Sequence, residues 1–233
     1  MLKTLQQAER WQVEAVLLDM DGTLVDTERV YIDSLTDVLT EFGYPDARAV
    51  CEAMIGLPGP ACQQLLIDRY GATVPLRQIN TAFATKRDAC FSQGLPLKHG
   101  TIELLDALDA AGWPTAVVTS STQQTAEQHL ALGGILERFD FLITRDAVAH
   151  SKPAPDLYLL AADTLGVTPR ACVAVEDSGV GIAAAFAAGT IPIMVPDLLP
   201  PNEATRAQCA AVLPDLIAVR RLLTERAGLG INA

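Results

Sequence analysis

The chain of 233 residues is 50% hydrophobic, 19% charged and 5% aromatic, enough for one large domain or two modest ones around an aliphatic core. Its 17 Lys and Arg face 28 Asp and Glu, a net charge of −11 that argues against a coat for nucleic acid or anionic membrane. The same composition excludes collagen, disorder and small disulfide scaffolds.

In chain order, the first aliphatic run is Ala15–Asp19, continuous rather than alternating, as befits a strand covered on both faces. Helical spacing follows. Tyr31, Leu35, Val38 and Phe42 mark one helix, Leu65, Leu66 and Tyr70 a second, and Ile79, Phe83 and Cys90 a third. Turn signals divide them at Gly43-Tyr-Pro45, Gly56-Leu-Pro-Gly-Pro60, and Gly71 with Pro75. A further helix carries Ile102, Leu105 and Leu108. It leads to the runs Thr115–Thr119 and Phe139–Thr144, a helix with Leu157, Leu160, Ala161 and Leu165, and the runs Cys172–Glu176 and Ile191–Val195.

Strand alternating with helix predicts an α/β fold with a doubly wound parallel sheet. The interval between the first two strands far exceeds the dozen or so residues of a single crossover. It is read as an inserted helical domain, residues 28–96, with 1–27 and 97–233 forming the sheet domain. Met1–Arg10 shows no apolar signal core, and no run reaches the roughly 18 apolar residues of a membrane span. The cysteines (Cys51, Cys62, Cys90, Cys172, Cys209) are odd in number and scattered, so buried reduced thiols are expected. The expectation is a soluble cytoplasmic protein, monomer or small homo-oligomer, with no nucleic-acid or membrane partner.

The chemistry-bearing residues gather at the ends of these runs. Asp19 and Asp21 stand where the first strand gives way to a Gly-Thr turn, and ligands of open α/β sheets bind beyond the carboxyl ends of strands. Two acids so close repel, and a divalent cation resolves that. Glu176 and Asp177 end the fourth run in the same way, and together the acids make an oxygen-rich cage suited to Mg2+. Thr119, Ser120 and Ser121 end the second run before a helix start, where hydroxyls and free N–H groups suit a phosphate oxygen. Lys152 is one of four lysines and sits in Ser151-Lys-Pro-Ala-Pro-Asp156, a cation for an anionic substrate or simply a solvated loop residue.

Asp19-Met-Asp-Gly-Thr-Leu-Val-Asp26, Thr119-Ser-Ser121, Lys152-Pro-Ala-Pro-Asp156 and Glu176-Asp-Ser178 resemble, in order, the four motifs of the haloacid dehalogenase superfamily. Gly181–Gly189 also looks like its fourth-motif helix. The resemblance covers essentially the whole chain and implies a Rossmann-like core with an inserted α-helical cap lying over the strand ends. It implies a phosphatase acting on small phosphorylated metabolites, sugar phosphates among them, through an aspartyl-phosphate. Asp19 would be the nucleophile and Asp21 the general acid and base. Mg2+ would be held by Asp19, the Asp21 backbone carbonyl and Asp177 with Glu176 nearby, and Thr119, Ser120 and Lys152 would bind the phosphoryl group. Asp21 points away from dehalogenation, whose enzymes lack the second aspartate.

Gly56, Lys86 and Arg87 are the cap candidates for reading the substrate. The β-phosphoglucomutases, the alternative within this group, carry a His where Tyr31 stands here and an Arg just after the cap glycine loop, where this chain reads Gly56-Leu-Pro-Gly-Pro-Ala-Cys62. Hydrolysis is therefore the preferred reading. Gly179-Val-Gly181-Ile-Ala-Ala184 followed by Asp197 approximates a dinucleotide fingerprint, but Glu176-Asp177-Ser178 interrupts its tight turn. A catalytically silent binding protein is the remaining rival. His99, His129 and His150 lack metal-ligand spacing and are expected on the surface or in loops.

Overall fold

The computed structural model describes residues 10–55, 57 and 59–230. They divide into two compact units, Val25–Pro96 forming one and the residues before and after it the other.

The first unit begins with β1 (Ala15–Leu18). The chain then enters the second unit, whose helices are α1 (Thr27–Glu41), α2 (Ala47–Ala53), α3 (Gly59–Tyr70) and α4 (Leu76–Phe91). Three of these stand where apolar spacing predicts helices, although Phe42, just past α1, and Cys90 on α4 are exposed and not on a buried face. α2 does not, since a seven-residue helix burying Ala47, Val50 and Cys51 is too short to show a clear period. Tyr31 packs edge-on against Phe83 and Phe91, with ring centroids 6.2 and 6.0 Å away.

Back in the first unit the chain runs α5 (Thr101–Ala111), β2 (Thr115–Val118), α6 (Gln123–Leu132), β3 (Phe141–Ile143), α7 (Asp156–Leu165) and β4 (Cys172–Glu176). It finishes with α8 (Gly179–Ala187), β5 (Ile191–Met194), α9 (Glu203–Gln208), β6 (Ala211–Val212) and α10 (Leu216–Ala227). The six strands form one parallel sheet in the order β3-β2-β1-β4-β5-β6. The chain moves outward from β1 through β2 to β3, then returns to β1's other side for β4. That reversal beside β1 makes the crevice where open α/β sheets bind ligands.

Five of the six strands coincide with the continuous aliphatic runs, and β1, β2 and β4 are buried at every position. Ala15, Leu17, Ala116, Val118, Cys172 and Ala174 pack with Leu157, Tyr158, Ala161 and Ala184 in one core cluster. On α5 the buried stripe is Leu104, Leu105 and Leu108, while Ile102 faces outward at 41% exposure. No helix among the described residues is long and apolar enough to cross a membrane.

Candidate active site

Strand register builds the site. Leu18 lies opposite Val117 on one side and Val175 on the other. The residues just beyond these partners, Asp19, Val118 and Glu176, therefore emerge side by side. The Asp19 N–H donates to Val175 O (3.0 Å), and the Thr119 N–H to Ile143 O (3.0 Å), so the ladder holds the chain up to the point of exit.

Lys152 joins the three strand ends. Its ammonium donates to Asp19 Oδ1 (2.6 Å), Glu176 Oε1 (2.5 Å) and Val118 O (2.7 Å). Its side chain is only 5% exposed, which excludes the solvated-loop reading. Tyr158, fully buried on α7, donates its hydroxyl to Glu176 Oε1 (2.6 Å) and places its ring 5.3 Å beneath the ammonium. Sequence reading did not single out Tyr158, whose apolar neighbours on α7 mark it as ordinary core.

The acids respond to this crowding. Burial, reinforced by the charge of Glu176, pushes the Asp19 carboxyl up to about 7 against the pull of Lys152. Asp177 is likewise raised well above the usual carboxylate range by burial, then by Asp19 and Glu176. Burial opposes the charge on Lys152, but Asp19 and Glu176 outweigh it and hold its pKa above the ordinary value.

Asp19, Glu176 and Asp177 each offer a carboxylate oxygen within 4.8 Å of the others, a hard-oxygen set that could hold a divalent cation. A second observation agrees with that fit. Asp197, which follows β5, accepts at Oδ1 from the Lys98 ammonium (2.6 Å), while its Oδ2 is buried without a hydrogen-bond partner among the described residues. Gly22 lies between this oxygen and Asp177. A Cβ there would come 2.5 Å from Asp177 Oδ2 and 3.4 Å from Asp197 Oδ2, and φ of +83° is a glycine conformation. The missing Cβ thus lets the turn after β1 lie directly against Asp177 and beside the unpartnered oxygen of Asp197. Asp197, the acid of the dinucleotide reading, is committed to Lys98, and a Cβ on Gly181 would overlap the Glu176 carboxylate.

The Asp21 side chain lies outside the three-acid cluster. Ser121 Oγ donates to its Oδ2 (2.8 Å), and His129 Nδ1 lies 3.2 Å from its Oδ1. This corrects the expectation for His129. It is 4% exposed, on the α6 face that also buries Ala126 and Leu130, whereas His99 and His150 are indeed exposed. The spacing Ala126, His129, Leu130 carries that signal, a buried-face period and not a metal-ligand interval.

Thr119 is buried and its Oγ1 accepts from the Ser121 N–H (3.0 Å), shaping the loop before α6. The hydroxyl of Ser120 meets that of Ser151 (3.0 Å). In the second unit, Lys86 pairs with Asp37 (3.1 Å) and Glu41 (2.7 Å), and Arg87 pairs with Asp88 (2.7 Å) and lies over the Phe83 ring. Gly56 falls outside the described residues.

The sequence profile of the haloacid dehalogenase-like hydrolases matches residues 16–195. The fructose-1-phosphate phosphatase YqaB of Escherichia coli is 34% identical over 178 residues, covering 75% of this chain and 92% of its own. A phosphorylated carbohydrates phosphatase of Thermotoga maritima is 30% identical, covering 76% and 82%. Among solved structures, a hydrolase of the same family from Deinococcus radiodurans, crystallised with phosphate and sodium, is 30% identical. It superposes with a TM-score of 0.82 over 94% of this chain and 98% of its own. With three acidic strand-end groups, a buried lysine among them and this profile across most of the sequence, the chain belongs to the haloacid dehalogenase-like hydrolase family.

Proposed function

We propose that the protein is a phosphoric monoester hydrolase that uses Mg2+ and acts on small phosphorylated metabolites, sugar phosphates foremost. The observation that carries this reading is the cluster of Asp19, Glu176 and Asp177, the first two bonded to Lys152, at the switch point of the sheet. The names of the Escherichia coli and Thermotoga maritima relatives support the substrate class.

Asp19 attacks phosphorus, forming a P–O bond to its carboxylate while the bond to the ester oxygen breaks. The departing alkoxide takes a proton from Asp21. Asp21 then removes a proton from water, whose oxygen attacks the aspartyl-phosphate and returns Asp19 as a carboxylate. The sum is ester plus water giving alcohol plus inorganic phosphate. Asp19, Asp177 and the Asp21 backbone carbonyl, with Glu176 close by, would hold the metal. Mg2+, when bound, supplies positive charge that favours ionised carboxylates and neutralises phosphate oxygens.

All three N–H groups of Lys152 already have acceptors. A phosphoryl oxygen reaches the ammonium by replacing one of them, and Asp19, once turned to phosphorus, is the acceptor released. Thr119 and Ser120 supply the loop that receives the remaining oxygens. Lys86 and Arg87, with Gly56, are the cap residues we propose for discriminating the leaving group. Tyr31, in the place of the mutases' histidine, packs its ring against Phe83 and Phe91, which supports hydrolysis over phosphoryl return.

The test is phosphate release from a panel of phosphometabolites with Mg2+ and with excess EDTA, checking β-glucose 1-phosphate for isomerisation. Sugar phosphates should turn over fastest and EDTA should abolish release. Full activity in EDTA, or isomerisation without release, would contradict the reading.

A further inference from the structure

We propose that His129 is a positioning residue for the acid–base aspartate: its Nδ1–H and the Ser121 hydroxyl, one on each oxygen of Asp21, fix the plane in which that carboxyl exchanges its proton. The inference rests on the hydrolase reading, because it assigns a function to the surroundings of Asp21.

Asp21 follows β1 by three residues and is about a quarter exposed (28%). Two elements each hold one of its oxygens. The loop after β2 brings Ser121 Oγ to Oδ2 at 2.8 Å, and α6 brings His129 Nδ1 to Oδ1 at 3.2 Å. In the tautomer we propose, with the hydrogen on Nδ1, the imidazole donates to Oδ1. The imidazole is itself held, being 4% exposed on a helix face shared with Ala126 and Leu130. Thr122 caps that helix by accepting from the Thr125 N–H (3.3 Å), which ties the frame of His129 to the loop that carries Ser121. A proton transfer needs its donor within hydrogen-bond reach and correctly aimed, and a carboxyl fixed at both oxygens spends less time in unproductive rotamers.

Esters that differ in their need for an acid separate this role from mere packing. A sugar alkoxide must be protonated as it leaves, whereas 4-nitrophenolate leaves as a stable anion. The experiment measures kcat/KM for 4-nitrophenyl phosphate and for the best sugar phosphate, in the wild type and in His129→Gln, His129→Leu and His129→Asn. Gln directs its amide away from the Nδ1 position, Leu fills the space without a donor, and Asn places a donor near Nδ1.

Gln and Leu should lose roughly 10- to 100-fold on the sugar phosphate and less than about 3-fold on the aryl ester, with Asn recovering most of the loss. Melting temperatures identify which variants are folded, and any folded donor-less variant suffices. Equal losses on both esters, no loss, or equal behaviour of Asn and Gln would overturn the proposal while leaving the hydrolase reading intact. A wild type that releases no phosphate from either ester would overturn the hydrolase reading and this proposal with it.

Discussion

At Lys152 the chain places one ammonium between two carboxylates, Asp19 and Glu176, that would otherwise repel across the sheet. Asp177 feels the same ammonium more weakly, and burial and the neighbouring acids raise its pKa well above the carboxylate range. A raised acid pKa means that the folded state prefers the protonated form, so stability is lost as pH climbs above the unfolded value. In EDTA at pH 8, Asp177→Asn should therefore melt at a higher temperature than the wild type. Added Mg2+ should raise the melting point of the wild type and scarcely move the variant. A variant that melts lower in EDTA would contradict this account of the cluster. The strand-end acids were legible because buried aliphatic runs lead straight into them. Lys152 was ambiguous, since its burial depends on Tyr158 and on register between strands distant in sequence. His129 was misjudged for the same reason, because its partner lies 108 residues away.

Elements differ in how plainly the sequence announces them. Continuous aliphatic runs read directly as β1 to β5, although the edge strand β3 leaves Phe141 exposed, while β6, two half-buried residues paired only to β5, offers no run to see. α2 escaped notice through its shortness, and it is stabilised by polar contacts that periodicity does not record. Just before it, Asp46 accepts from Arg69 Nε (2.6 Å) and the Tyr70 hydroxyl (2.9 Å) at the end of α3, and Tyr44 stacks on Tyr70 with centroids 3.9 Å apart. Arg69, followed by Tyr70, holds the Asp46 carboxyl below its ordinary value. A depressed acid pKa contributes stability above the unfolded value that disappears as pH falls through the folded one. Asp46→Asn should thus lower the melting temperature of this unit modestly at pH 7, the difference closing below about pH 4. A gap that stays constant down to pH 3 would assign the effect to packing instead.

For the whole molecule, the net charge of −11 and the two-unit division now have a common frame. The chain departs from the sheet unit at Val25 and returns at Leu97, so a separately folded helical unit interrupts the catalytic frame without disturbing its strand order. The β1 turn and the β4 exit, where we place the chemistry, lie on opposite sides of that interruption in sequence. Part of the negative charge is concentrated at those exits in Asp19, Glu176 and Asp177, balanced locally by Lys152. Covalent participation of Asp19 is the central claim. The direct measurement is acid quenching of the enzyme during turnover of a sugar phosphate, followed by mass spectrometry of the peptide containing residues 15–25. The account predicts one phosphoryl group on Asp19, labile at alkaline pH, and no adduct or phosphate release in Asp19→Asn. A phosphoryl group on another residue, or an Asp19→Asn protein that turns over at the wild-type rate, would contradict it.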